Sequence, residues 1–499
     1  MQAASAPDYR RRIWVAAACA FALGMIALSW VGYIESDDFS YARAAEAWLS
    51  HPPFLGRSQW ALRHMIVLPL AASFQIFGRS ETSLAAPMLL YGVALLLMMG
   101  FGVRRVAGPV AGILAPLLIA TVPAFATCAT LVSSDMAEAF YVLASLWVFY
   151  FATEADRRWM FVAAGVLAGC GFLTRETTLA LLLLYGVLFV AGYGRRSNYF
   201  WMGGGFVLVA ALETAYLWSM SGDPLWRIHV ALTGVGNDSP YTPGLLQTSG
   251  TFDQHGVLRA SRPVQGLLLL FASQGIGLLP WFGVPAAAFL AWRPPQGEAG
   301  RATRLFALLA LTWFVVLSYV FLFLWLIPRY QIVALCALAV PSSIVLATWL
   351  KEGRRWRVAA VLAPIMGMGV LLAAAADHGI LSGERALVGF VRMNGHAVRT
   401  DPGTLEGAEW LLEIAGLNNL VSAEPPKPGG LYFLNHAPRR TIPADWPAPP
   451  AGSKVVADFS QPPSLVARAL RVLGLLRILP AALQAKLLPT RSAEVLQIP

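Results

Sequence analysis

The sequence predicts an all-α polytopic membrane protein of about 11 transmembrane helices with a small extracytoplasmic α/β tail at its C-terminus. Three observations predict it. Apolar runs of about 20 residues, long enough to cross a hydrocarbon core of about 30 Å, recur between residues 12 and 376. Of 499 residues, 57% are hydrophobic and 13% charged, and the mean hydropathy is +0.60, far from a soluble average. Arginine pairs and acids fall in alternate loops between the runs.

The crossings lie near 12–34, 81–103, 108–128, 134–153, 158–174, 177–194, 199–220, 264–291, 305–326, 330–350 and 357–376. Several are separated by only a few residues, so helical hairpins are implied. One set of loops carries Arg10 to Arg12, Arg104 and Arg105, Arg157 and Arg158, Arg195 and Arg196, Arg293 with Arg301 and Arg304, and Lys351 with Arg354, Arg355 and Arg357. Positive charge is retained in the cytoplasm, so these loops and the N-terminus are cytoplasmic. The opposite set holds Asp37 and Asp38, Asp135 with Glu138, Arg175 with Glu176, Asp223 and Arg329. The first run is too long for a typical signal peptide and lacks a small-residue cleavage site before the acids, so it reads as a retained anchor. Topology accounts for much of the net charge of +10, and no nucleic-acid partner is expected. Cys19, Cys128, Cys170 and Cys336 all fall in or beside apolar segments, which argues against a disulfide framework.

The membrane domain therefore spans 1–376, with extracytoplasmic loops at 35–80 and 221–263, and the extracytoplasmic tail spans 377–499. The first loop holds two short amphipathic helices, 39–49 and 62–77, which are too short to span and lie at the interface. The second opens with Gly222-Asp223-Pro224 and reads as an irregular loop. In the tail, strands are predicted at Leu431 to Leu434 and Val455 to Phe459, followed by a helix over 465–488. That helix alternates leucines with Arg468, Arg471, Arg477 and Lys486, so it either lies on the membrane surface or packs on the small domain.

Chemistry concentrates on the far face. Asp37 and Asp38 open the first amphipathic helix, where an acid caps the N-terminus and is equally a positioned base. Asp135 enters the fourth crossing from the same face, and Glu138 lies one turn deeper on the same helical face. An acid in such a place faces a cavity or a partner. The partners are arginines, since no lysine precedes Lys351: Arg63 beside His64, Arg175 beside Glu176, and Arg329 beside Tyr330. Guanidinium groups bind phosphate through paired hydrogen bonds, although an Arg175–Glu176 interfacial pair and snorkelling arginines are alternative readings. His64 and His229 lack a spaced partner, so a divalent cation rests only on convergence of Asp37, Asp38 and Asp135, and no other cofactor is implied.

Taken in order, Asp37-Asp38-Phe39-Ser40-Tyr41-Ala42, the helix ending Phe74 to Gly78, Asp135-Met136, Leu173-Thr174-Arg175-Glu176, Leu279-Pro280-Trp281 and Pro328-Arg329-Tyr330 resemble the GT-C glycosyltransferases. The resemblance covers roughly 12–350 and is nearest the protein O-mannosyltransferase and lipid A aminoarabinose transferase branch. It implies a polyprenyl-phosphate sugar donor, inverting transfer at the extracytoplasmic face of the inner membrane, Asp37 as general base and Asp135 as a second active-site acid. Arg329 is then the contact to the donor phosphate. Where several relatives carry Lys-Pro-Pro at the start of the second juxtamembrane helix, this chain has Leu62-Arg63-His64, with Arg63 the substitute cation. The acceptor is an envelope lipid, glycan or protein. The main rival is a transporter or flippase of lipid-linked sugars, which needs polar residues or broken helices near the midplane.

Overall fold

The computed structural model describes residues 7–233, 262–321, 326–375, 379–438, 440–461, 463–478, 484 and 491–499. Packing divides the chain into two units, one of Met1–Gly32, Ser40–Gly78 and Thr82–Ala373, the other of Tyr33–Phe39, Arg79–Glu81 and Ala374–Pro499.

The larger unit is helical. It contains α1 (Pro7–Leu28), α2 (Asp37–Ser50), α3 (His64–Phe77), α4 (Glu81–Ala107), α5 (Pro109–Ala120), α6 (Pro123–Cys128), α7 (Ser134–Ala155), α8 (Arg158–Thr174), α9 (Leu179–Val190) and α10 (Arg196–Ser221). There follow α11 (Trp226–Thr233), α12 (Arg262–Ala272), α13 (Leu279–Trp292), α14 (Glu298–Val315), α15 (Ile332–Lys351) and α16 (Arg355–Ala375). Among the described residues six helices are long and apolar enough to cross a bilayer: α4, α7, α10, α14 with its continuation to Val320, α15 with the turn before it, and α16. Their burial differs in a way that marks the lipid. In α15 nearly the whole apolar window is enclosed, whereas α10 presents Phe200, Val207, Leu208 and Leu212 outward. An apolar face of that size is unfavourable in water and natural in hydrocarbon, so the chain is a multi-pass membrane protein.

Two of the expected crossings are not single helices. The run over 264–291 breaks at residues 273–278, because Gly277 adopts φ +74° and Pro280 has no amide hydrogen to continue the first helix. A Cβ on Gly275 would stand 2.7 Å from Pro328, so the break also lets the chain before α15 approach closely. The run over 108–128 breaks at Thr121 and Val122, ahead of Pro123 at the start of α6. In the second loop the chain forms the short helix α11 rather than irregular structure; most of 234–263 lies outside the described residues.

The smaller unit contains α17 (Ser382–Asn394), α18 (Pro402–Ala415), α19 (Leu465–Val472) and strands β1 (Val398–Thr400), β2 (Val421–Ala423), β3 (Leu431–Asn435), β4 (Lys454–Ser460) and β5 (Arg491–Gln497). They make a mixed sheet of order β2-β1-β3-β5-β4, parallel from β2 to β3 and antiparallel through β5. Leu387, Phe390 and Val391 of α17 and Ala408 and Leu412 of α18 pack on Val398, Phe433 and Val495 of the sheet. The helix expected over 465–488 stops at Val472, where Gly474 takes φ +70° and a 3-10 turn follows at Leu475–Ile478; most of 479–490 lies outside the described residues.

Helices α8 and α10 touch backbone to backbone. A Cβ on Gly165 would fall 1.8 Å from the Met202 carbonyl oxygen, and one on Gly205 would fall 2.2 Å from that of Val162. Small residues at such a crossing let helices without a hydrophobic driving force pack by contact. Gly165→Ala is expected to destabilise the protein by about 1–3 kcal/mol, read as a lowered melting temperature in detergent. Gly203→Ala, on the same helix pair with no neighbour within 4 Å, should leave it unchanged or slightly higher.

Candidate active site

The residues singled out in the membrane unit gather at helix ends. Asp135 lies in the first turn of α7, Arg175 in extended backbone just past α8, and Arg329 in the 3-10 turn Pro328–Gln331 that leads into α15. Arg175 Nη1 donates to Asp135 Oδ1 at 2.8 Å, and Arg329 Nε lies 3.3 Å from Asp135 Oδ2. Asp135 thus shares one carboxylate between two guanidiniums while only 2% of its side chain is exposed. The Arg175 guanidinium stacks on the Tyr330 ring at 3.8 Å, which fixes the plane of its fork. Trp313 Nε1 donates to the Tyr330 carbonyl at 2.9 Å and holds that turn in place. Arg329 keeps a quarter of its side chain exposed, against 8% for Arg175, and is the more accessible of the two cations.

Glu138 has a different part. Its carboxylate accepts hydrogen bonds from Thr177 and Thr178, which ties α7 to the turn between α8 and α9. Glu176 does not pair with Arg175. It accepts from Arg227 Nη2 at 2.9 Å instead.

Arg227 was not singled out in the sequence, and it organises a second network. Its Nη1 donates to Glu213 at 2.7 Å and to the Leu62 carbonyl at 3.2 Å, and its Nη2 also reaches the Phe172 carbonyl at 3.1 Å. His64 Nδ1 lies 3.2 Å from the same Glu213 oxygen, so His64 is a partner of a carboxylate. Arg63 donates to the Tyr41 hydroxyl and lies within electrostatic reach of Glu176 and Arg175. The signal for this network is Glu213, an acid well inside the apolar run 199–220 that demands a cation. Among the described residues no group of three His, Cys, Asp or Glu side chains is placed to hold a metal ion. His229 pairs with Asp223, and the Leu225 N–H together with that imidazole holds the Asp223 carboxyl below its usual range.

Asp37 and Asp38 pack with the smaller unit and differ sharply. Asp38 is fully buried and accepts three backbone N–H bonds, from Ile34 at 2.7 Å, Ser36 at 2.6 Å and Phe39 at 3.1 Å. Burial pushes its carboxyl up to about 6 although these N–H groups pull the other way, and both oxygens are engaged in shaping the turn. Asp37, one residue earlier, is only half-buried.

With this geometry in place, comparison with known proteins is informative. A family model described as dolichyl-phosphate-mannose-protein mannosyltransferase matches residues 64–218, which include His64, Asp135, Glu138, Arg175 and Glu176 and stop short of Arg329. No curated protein matches the sequence. The structure is similar to ArnT from Cupriavidus metallidurans bound to undecaprenyl phosphate, with a TM-score of 0.58 at 14% identity over 89% of this chain and 100% of that one. The chain has the GT-C fold. A second GT-C relative is the oligosaccharyltransferase AglB from Archaeoglobus fulgidus in complex with an inhibitory peptide and a dolichol-phosphate, with a TM-score of 0.51 and 14% identity. The likeness covers 84% of this chain and 65% of AglB, so the chain spans about two thirds of that relative's length. The A. fulgidus enzyme in complex with Zn and sulfate gives 0.50 at 14% identity, over 83% of this chain and 62% of that one.

The Arg227 network supplies a stability test. Removing its guanidinium leaves the buried Glu213 with the His64 imidazole but without its arginine, so Arg227→Ala is expected to cost about 3–5 kcal/mol and lower the melting temperature in detergent. Arg227→Ala combined with Glu213→Gln should recover much of that loss.

Proposed function

We propose that the protein is an inverting glycosyltransferase that moves a sugar from a polyprenyl-phosphate donor to a cell-envelope lipid, glycan or protein at the extracytoplasmic face of the inner membrane. The observation that carries the reading is the buried Asp135 carboxylate flanked by Arg175 and Arg329 in a membrane unit of GT-C fold. Guanidinium groups gathered at that carboxylate offer the charge-assisted donors that a departing phosphate requires.

The chemistry follows from the leaving group. The acceptor hydroxyl loses its proton to Asp37 as its oxygen forms a bond to the anomeric carbon. The bond from that carbon to the phosphate oxygen breaks, and a polyprenyl phosphate departs as an anion against the guanidiniums. One displacement inverts the anomeric centre. Phosphate is a good leaving group, so a base and cations suffice and no strong general acid is needed. Arg329 contacts the donor phosphate, Arg175 and Arg63 are second candidates for that contact, and Asp135 holds Arg175 and Arg329 rather than taking a proton. That undecaprenyl phosphate and dolichol-phosphate are bound in the two relatives supports a lipid-phosphate donor. The transporter reading gains nothing from those relatives.

The topology in this proposal counts α5 with α6, and α12 with α13, as broken single crossings, which gives eleven in all with α1, α4, α7, α8, α9, α10, α14, α15 and α16. Contact among Asp135, Arg175 and Arg329 supports placing those three helix ends at one face, as loop parity requires.

The test is release of free polyprenyl phosphate, with a labelled acceptor, by purified protein in detergent given a polyprenyl-phosphate sugar and an envelope extract. Asp37→Asn should fold normally and lose about 10²- to 10⁴-fold in transfer rate. Asp38→Asn should instead lower protein stability by about 1–3 kcal/mol, because its amide would face a backbone N–H donor. Retained activity in Asp37→Asn would overturn the base assignment. In Arg329→Ala the donor KM should rise or release of the lipid phosphate should slow, and unchanged donor kinetics there and in Arg175→Ala and Arg63→Ala would overturn the mechanism.

A further inference from the structure

The segment that carries Asp37 is gripped by side chains more than 300 residues away in the sequence, all within the smaller unit. Glu35 adopts φ +54°, a left-handed backbone that a non-glycine residue holds only when its surroundings enforce it. Its carboxylate is 2% exposed and receives both Nε, at 2.8 Å, and Nη2 of Arg440. Two residues earlier, the Tyr33 ring packs on Trp410 with centroids 4.8 Å apart, and its carbonyl accepts from Arg385 Nη2 at 2.9 Å. Arg385 in turn pairs with Glu81 at 2.6 Å, and the Tyr33 N–H donates to that same Glu81 oxygen at 3.3 Å.

Helix α18 arranges this grip along one face. Gly403, Glu406 and Trp410 fall at i, i+3 and i+7, so they line one side of the helix. A Cβ on Gly403 would stand 2.6 Å from the Arg440 carbonyl oxygen, so only glycine lets that strand of chain lie flush on α18. Glu406 Oε1 lies 3.5 Å from Arg440 Nε and draws the guanidinium along the same face, and Trp410 meets Tyr33. Positions 33 and 35 are therefore fixed from α17, α18 and the residue 440 segment, while Asp38 ties the amides of 34, 36 and 39 to itself. Asp37 stands within this doubly anchored turn.

We infer that Arg440 is a positioning residue for glycosyl transfer, acting through Glu35 on the backbone that aims Asp37. The inference rests on the transferase reading, with Asp37 as base. A misplacement of about 1 Å at a reacting group can cost 10²-fold, so a remote clamp of this kind registers in turnover.

The experiment combines transfer kinetics with amide hydrogen exchange on the full-length protein in detergent. Arg440→Gln should lower kcat by about 10- to 100-fold with donor KM within twofold of wild type. Amide exchange should speed up in the 33–39 peptide while peptides from α18 and β3 keep wild-type protection. Glu35→Gln should behave alike, and the double variant should be no worse than the poorer single one, as expected of two halves of one contact. Should Arg440→Gln fail to accumulate, Arg440→Lys keeps the charge, loses the fork and should give an intermediate kcat. Wild-type kcat in both variants overturns the inference, and so does a loss of kcat accompanied by faster exchange throughout the smaller unit. Absence of transfer by the wild-type protein with every donor sinks the transferase reading and the positioning role together, whereas active wild type with unaffected Arg440 variants sinks the positioning role alone.

Discussion

The membrane unit depends on one buried ionic arrangement, the Asp135 carboxylate held between the guanidiniums of Arg175 and Arg329. Asp135 and Arg175 are buried too deeply for either charge to be tolerable alone. A desolvated carboxylate without partners, or two guanidiniums without an acid between them, costs several kcal/mol in such surroundings. Each charge therefore constrains the others, and through them the start of α7, the end of α8 and the entry to α15 are brought together. The stacking of Arg175 on Tyr330 adds direction, because a planar guanidinium over a ring presents its remaining donors in a fixed plane. Geometry and charge balance are set by the same few atoms.

The second network shows by contrast what a self-contained ionic cluster looks like. Arg227 meets two carboxylates, Glu213 and Glu176, and spends its other contacts on the carbonyls of Leu62 and Phe172. No net positive charge is left over, and every donor named is directed at protein atoms. In the first cluster two cations share one carboxylate, and Arg329 is partly open. The exposure of a guanidinium, more than the presence of arginine, separates the cluster proposed to receive an anion from one that fastens a loop helix to the membrane unit.

These differences explain what was legible in the sequence. Asp135, Arg175 and Arg329 were readable because charges at the ends of apolar runs are scarce, and loop parity assigns each of them to the same face. The Arg227 network was not, since its partners lie 14, 51 and 165 positions away and Arg227 itself sits in a short helix inside a loop rich in turn residues. The helix break at 273–278 was masked by hydropathy averaging, which registers Ile and Leu on both sides but not that Gly277 has a positive φ. In the tail, β3 and β4 showed as short β-branched and aromatic runs, whereas β1 and β2 have three residues each, too few for any alternation to emerge. Strand β5 does alternate, with Ala493 and Val495 inward, but it pairs with β3 and β4 only after a long excursion of the chain.

Adjacent acids are the hardest case for a sequence argument, and Asp37 and Asp38 show why. Both follow an apolar crossing, both open a helix, and capping or catalysis suits either one. Their side chains, one position apart, meet different surroundings. The carboxylate of Asp38 is sealed from water and answers three backbone N–H groups, so moving a proton there would disturb the turn it builds. Asp37 is left half-buried in a turn whose shape is maintained by its neighbour on one side and by Glu35 with Arg440 on the other. In the proposed reaction the two aspartates therefore divide the work, Asp38 building the turn and Asp37 serving as base within it.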